Sequence, residues 1–210
     1  KIYSGRNGID SHEMNSGGDA DEVERQRNPV RMVYVSTPFR GLNVLLERYW
    51  PRIIEKIPTA ELHCYYGWDS ADKMGVTATP EGAAFKSHVM GLVDRLPNVT
   101  WHGRIGQRDL YQELLKSGVW GYPSTWKEEN CISSYLAQAC GVWPVVFPMG
   151  ALGQSVVFGW KVDDAHFVDA VCEATQTEVD RQTMMEWARK WLSWDDCAAY
   201  WERLFLGRLA

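Results

Sequence analysis

Short, almost wholly apolar runs alternate with longer stretches of helical spacing, and this alternation limits the fold more than any other feature of the chain. "RMVYVS" (Arg31 to Ser36) is a β-branched and aromatic run. The turn-like "TPFRG" follows it, and in "LNVLLERYWPRIIEKI" apolar residues then recur at helical spacing. The order repeats through the strand "AELHCYYG", the helix "PEGAAFKSHVMGLVDRL", the strand "NVTWHG" and the helix "QRDLYQELLKSG". It continues through the strand "VWGYPS", the helix "CISSYLAQACG" and the strand "VWPVVF". Gly118 and Gly141 read as the glycines that end two of these helices. Strands that are apolar along their whole length are buried on both faces, which is the habit of parallel sheets. The pattern predicts an α/β fold, a doubly wound parallel sheet with helices on both sides. From about Asp163 it turns to helix only, giving a helical C-terminal tail, and Ser193 with Asp196 three residues on is placed to cap the last helix.

Residues 1–30 lack apolar periodicity and are rich in Gly, Asn, Asp, Ser and Glu, with an acidic cluster from Asp19 to Glu24. They read as a linker or lead-in, with the folded domain at 31–210. The chain begins at Lys1 rather than Met, which suggests a piece of a longer protein. Its 210 residues fit one domain, and a net charge of −5 argues against nucleic acid, whose phosphates reward clustered Lys and Arg. The five cysteines (Cys64, Cys131, Cys140, Cys172 and Cys197) show no CxxC pair, so neither a zinc site nor a disulfide framework is expected and a reducing cytoplasm is. No apolar run approaches the roughly 18 to 20 residues of a membrane span. Eleven tryptophans scatter without a period and read as core and helix-packing residues rather than as a carbohydrate platform.

In open parallel sheets ligands bind outside the carboxyl ends of the strands, so the turns there carry the chemistry. In "STPFRG", Arg40 and Gly41 stand between a strand and a helix, where a guanidinium and backbone N–H groups can meet a phosphate; an ordinary surface arginine beside a turn glycine is the other reading. "GRIGQRDL" offers a polar turn near Ile105 that a planar base could approach, or a turn and nothing more. "YPSTWKEENCISSYLAQACG" ends a strand, carries Glu128 and Glu129 on a loop, and starts a helix near Cys131 to Ser133. The unpaired N–H groups of that helix start attract an anion, and a carboxylate before it can accept from sugar hydroxyls or simply suit the helix dipole. No GxGxxG, GxxxxGK[ST], HExxH or GxSxG is present, and Cys131 forms no recognisable nucleophile pair with the scattered histidines.

Taken in order, these segments resemble the C-terminal domain of the retaining GT-B glycosyltransferases of the glycosyl transferases group 1 family. "NGID" (Asn7 to Asp10) resembles "NGVD", "VYVSTPFRGLNVLLE" resembles "GR…KG…LL", "YPSTWKEENCISSYLAQACGVWPVV" resembles "YPS…E…LEA.ACG.PVV", and "LSWDDCAAYWERLF" resembles "FSWD…A..W..L". The resemblance implies a Rossmann-like domain that holds a nucleotide-sugar donor, such as a UDP- or GDP-sugar, and needs neither metal nor cofactor. It implies that Arg40 binds the donor diphosphate beside Gly41, that the turn at Ile105 holds the base, and that Glu128 contacts the transferred sugar as the catalytic carboxylate. The amides of Asn130, Cys131 and Ile132, with Ser133 at the helix start, would reach the sugar and phosphates. The acceptor, a glycan, lipid or protein, would be bound by an N-terminal domain that this chain lacks. Two positions depart from the pattern. The second motif glutamate, which binds the ribose, falls on Leu136, and the basic residue of the first motif is replaced around Val35 and Ser36. Leu136 also admits a non-catalytic sugar-nucleotide-binding or interaction module, and a sugar-nucleotide epimerase is a third class.

Overall fold

A computed structural model describes residues 7–15 and 26–207; Lys1 and the acidic cluster from Asp19 to Glu24 lie outside them. The strands are β1 (Asn28–Val35), β2 (Glu61–Tyr65), β3 (Val99–Gly103), β4 (Ser117–Tyr122), β5 (Trp143–Val146) and β6 (Trp160–Lys161). They form one parallel sheet in the order β3-β2-β1-β4-β5-β6, with Met32 paired to Leu62 on one side and Val119 on the other. β4 is flanked by β1 and β5, and all six of its residues are buried, which explains its uninterrupted apolar reading. β6 escaped the sequence pattern because two residues are too few to show a period.

The helices are α1 (Ser11–Asn15); α2, which runs through Leu42–Val44, a π-helical stretch Leu45–Tyr49 and Trp50–Lys56; α3 (Asp69–Lys73); α4 (Pro80–Arg95) and α5 (Gln107–Leu115). They continue with α6 (Ile132–Ala139), α7 (Leu152–Ser155), α8 (Phe167–Gln176), α9 (Arg181–Trp191) and α10 (Trp194–Phe205). α8 packs on β1, β4 and β5 and against α2, whereas α6 packs on β5 with α5 and α9 against it. The two sets cover opposite faces of the sheet, the Rossmann-like arrangement that the alternation predicts. Ser193 caps α10 by accepting from the Asp196 N–H at 3.1 Å, and Gly141, in the left-handed region at φ 73°, follows the end of α6. Ile9 and Met14 are buried, and Ile9 bridges to Ser193, which fastens the segment around Ile9 to the start of α10. All five cysteines are free and buried. Trp50, Trp68 and Trp120 are core residues, but Trp126, Trp191, Trp194 and Trp201 are exposed, so core packing explains only part of the tryptophan content.

Gly118 does not end a helix. α5 stops at Leu115 and Gly118 lies inside β4, where an added Cβ would stand 2.2 Å from the Pro29 carbonyl oxygen of β1. The glycine is there because two backbones approach, and its carbonyl accepts from Arg181 Nη1 at 2.9 Å. On the β1–β2 side, Arg31 pairs with Glu113 of α5, which also accepts from the Tyr65 hydroxyl at 3.0 Å and from Lys116 Nζ at 2.9 Å. Partial burial opposes ionisation of Glu113, but the hydrogen bonds from Lys116, Arg31 and Tyr65 prevail and bring its carboxyl down to about 2.

Gly118→Ala should lower stability by about 1–3 kcal/mol, because backbone rather than a flexible side chain blocks the methyl; an unchanged melting temperature would contradict the close approach. Glu113→Gln should destabilise at pH 7. A carboxyl depressed in the folded state contributes stability above its ordinary value of 4.5 and loses it as pH falls through about 2. The melting difference between wild type and variant should therefore shrink below about pH 4.5, and a difference independent of pH would contradict the ion pair.

Candidate functional site

β1 and β4 are neighbours in the sheet but not in sequence, and the chain leaves them toward opposite faces, into α2 and α6. A crevice opens where strand order reverses in this way. After β1 the chain makes a 3₁₀ turn, Pro38–Arg40, held by the Tyr34 hydroxyl donating to the Thr37 carbonyl at 3.0 Å. Gly41 then adopts φ 102°, and an added Cβ would lie 3.1 Å from the Pro123 carbonyl oxygen, so this loop rests directly on the end of β4.

From the other side, the loop after β4 brings Glu128 to Arg40. Arg40 Nη1 donates to Glu128 Oε2 at 2.7 Å, and the Tyr122 hydroxyl donates to Oε1 at 2.8 Å. The Glu128 side chain is 2% exposed and that of Arg40 37%. The Glu128 carbonyl accepts from the Ala151 N–H at 2.7 Å, and at Gly150 (φ 59°) an added Cβ would come within 2.3 Å of that same carbonyl oxygen. Backbone and carboxylate of Glu128 are both fixed. Burial, with the nearby Cys131 and Glu128, pushes the Tyr122 hydroxyl up, so it stays a donor. Burial, reinforced by the charge of Glu128, pushes the Cys131 thiol up to about 12, which leaves it protonated and a poor nucleophile. The Arg40 guanidinium lies 5.8 Å from the ring centre of Trp126, an exposed residue on the Glu128 loop.

α6 starts beside this pair. Cys131 is its N-cap residue and supplies no side-chain cap. The Ser133 hydroxyl donates to the Val35 carbonyl and so ties the helix start to the end of β1. Asn130 Oδ1 is buried and has no hydrogen-bond partner in the structure, a condition that costs about 1–3 kcal/mol and that a ligand hydroxyl or N–H would relieve. Behind the helix start, the Ser134 and Ser155 hydroxyls are 2.9 Å apart, and Gln138 Oε1 accepts from the Val157 N–H at 2.9 Å. This buried network fixes the angle at which α6 meets the site.

A cavity of about 510 Å³ adjoins the start of α6, within the size range of small-ligand sites. Val35, Tyr65, Tyr66, Ile105, Ile132, Ser133 and Leu136 line it. Tyr66 holds a left-handed φ of 105°, a strained backbone of the kind that collects at binding sites. The residues singled out from sequence thus fall into two adjoining groups. Arg40 and Glu128 are bonded to each other on a platform that includes Gly41, while Ile105, Ile132, Ser133 and Leu136 wall the cavity; Asn130 and Cys131 lead into α6. Tyr122, Trp126, Tyr66 and Gly150 were not singled out. Tyr122 had one usable signal, its place as the last residue of a buried strand.

No family model matches the sequence, and no curated protein matches it. Solved structures do. A sucrose-phosphate synthase from Thermosynechococcus elongatus superposes with TM-score 0.69 at 19% identity, over 96% of this chain and 51% of that one. A glycosyltransferase from Rickettsia africae gives 0.67 at 13% identity, over 95% and 55%. HepE from Anabaena, solved in complex with UDP and glucose, gives 0.65 at 13% identity, over 95% and 55%. The chain therefore has the fold of the C-terminal half of a GT-B glycosyltransferase and spans about half the length of these structures.

Proposed function

We propose that this chain is the donor-binding half of a glycosyltransferase, taking a nucleotide sugar for retaining, metal-independent transfer to an acceptor held by a partner domain. The observation that carries the reading is the Arg40–Glu128 pair at the strand-order reversal, beside an open helix start. A diphosphate entering the crevice offers Arg40 a more accessible anion than buried Glu128. Once Arg40 turns to it, Glu128 keeps its bond from Tyr122 and has a free oxygen for sugar hydroxyls. Departure of the nucleoside diphosphate builds negative charge, which Arg40 and the amides of Asn130, Cys131 and Ile132 stabilise without a metal. Asn130 Oδ1, buried and unpartnered, is a further acceptor for a sugar hydroxyl. Neighbours of the same fold were solved with UDP, which supports UDP as the first ligand to try. Leu136 favours the second reading, a binding module without transfer activity.

Arg40→Gln should weaken UDP binding, followed by tryptophan fluorescence, at least tenfold, since hydrogen bonds to charged groups contribute about 1.5–3 kcal/mol each. The variant also strands the buried charge of Glu128, so its melting temperature should fall. Adding Glu128→Gln should restore the melting temperature and leave the affinity low. Unchanged UDP affinity in Arg40→Gln would refute the diphosphate role. The purified chain alone should transfer no sugar from UDP- or GDP-glucose to glycan, lipid or protein acceptors, because its matches are about twice its length; transfer in a radiolabel assay would refute the need for a partner domain.

A further inference from the structure

Two histidines with no part in the proposed transfer meet on the outer strands of the sheet. His63 of β2 and His102 of β3 lie side by side, their rings 15° from parallel with centres 5.1 Å apart, and His63 Nδ1 is 2.8 Å from His102 Nε2. Arg31 Nη2 of β1 lies 3.2 Å from that same Nδ1. A guanidinium nitrogen can only donate, so the Nδ1 lone pair accepts from Arg31 and from His102 together. His63 then carries its proton on Nε2, 3.3 Å from Glu61 Oε2. Both rings are neutral in this arrangement. Of the other charged groups around them, Lys116, just after α5, adds to the positive side, and Glu113 of α5 is already taken by Arg31, Lys116 and the Tyr65 hydroxyl. Burial, then the charge of Arg31, holds His63 below its ordinary 6.5 against the pull of Glu61; burial also lowers His102, where Glu113 opposes it. β3 is the edge strand and joins the sheet through β2 alone. Its end also supports the cavity: the Gly103 carbonyl accepts from the Tyr66 N–H at 2.9 Å, and the Tyr65 ring lies nearly flat on His102 with centres 4.5 Å apart.

We infer that the His63–His102 pair is an acid-sensitive latch on the outer edge of the sheet, closed while both rings are neutral and released when they take up protons, so that β3 and the Tyr65–Tyr66 side of the cavity loosen in mildly acidic solution. A proton on His63 Nδ1 sets that N–H against two others and an imidazolium against a guanidinium 3.2 Å away. His102 can take a proton on Nδ1 and keep its bond to His63, but the new charge enters the same cluster as Arg31. The folded chain therefore refuses protons that the unfolded chain accepts near 6.5. The latch's stabilisation is complete above that value and is lost as pH falls through the lowered folded values. Nothing in this latch requires the nucleotide-sugar reading.

The test combines NMR titration of the histidine rings with amide hydrogen exchange. Both rings should titrate below 6.5. Exchange across the β2–β3 pair, including the Tyr66 N–H, should speed up several-fold relative to the β4–β5 pair between about pH 7.5 and 5.5; referring one pair to the other removes the intrinsic pH dependence. His63→Asn with His102→Gln keeps an acceptor where Nδ1 stood and a donor where Nε2 stood, and neither side chain can take a proton. Over the same range the wild type should lose about 2–4 °C more of its melting temperature than this variant. The variant's β2–β3 exchange should keep step with β4–β5. His102→Gln alone, at an exposed position, makes the same comparison if the double variant does not fold. Ring values at or above 6.5, exchange of the two strand pairs in step in the wild type, or equal melting losses in wild type and folded variant would each overturn the latch.

Discussion

A carboxylate with a side chain 2% exposed is expensive to keep ionised, with a desolvation cost of several kcal/mol unless a partner and further hydrogen bonds offset it. Glu128 has both, Arg40 on one oxygen and Tyr122 on the other. This contact joins the loop after β1 to the loop after β4, the two segments that part to opposite faces at the strand-order reversal. Much of the local backbone serves it. Gly41 lets the first loop lie on Pro123, Gly150 lets the chain press on the Glu128 carbonyl, and the buried hydrogen bonds of Gln138 hold α6 in place behind them. On the proposed reading, an incoming anion would compete with Glu128 for the one guanidinium of Arg40.

The site is divided along β1. On the β4 side it is charged and closely hydrogen-bonded, as suits a diphosphate and a sugar. On the β2–β3 side it is a cavity walled by aromatic and aliphatic side chains together with Arg104, Gln107 and Ser133, with the strained backbone of Tyr66 in its lining. The start of α6 belongs to both halves, because Ile132 and Ser133 line the cavity while Cys131 approaches Glu128. A ligand with an anionic middle, a polar end and a flat end fits such a division.

Most of the fold was legible because its signals are local. Continuous apolar strands, helix periodicity and the Ser193 cap each span a few residues, and they gave the alternation, the parallel sheet and the last helix. Gly118 misled because a glycine after a helical stretch resembles a helix end, whereas its true cause is the backbone of Pro29, some ninety residues away in sequence. β6 was too short to read. Arg40 and Glu128 were visible as strand-end residues, but no local signal says that they bond to each other, and Tyr122 looked like one more apolar strand residue. Arg181, which donates to the carbonyl of Gly118 at the start of β4 and to that of Gly141 just before β5, acts over long sequence separations and leaves no pattern in the sequence.

A crystal structure of the chain with UDP tests most directly whether the Arg40–Glu128 pair is a donor site at rest. If it is, the diphosphate will lie between Arg40 and the start of α6, Arg40 Nη1 will have left its 2.7 Å contact with Glu128, and the nucleoside will occupy the cavity walled by Leu136. UDP bound at another edge of the sheet, with the Arg40–Glu128 contact intact, would contradict that assignment.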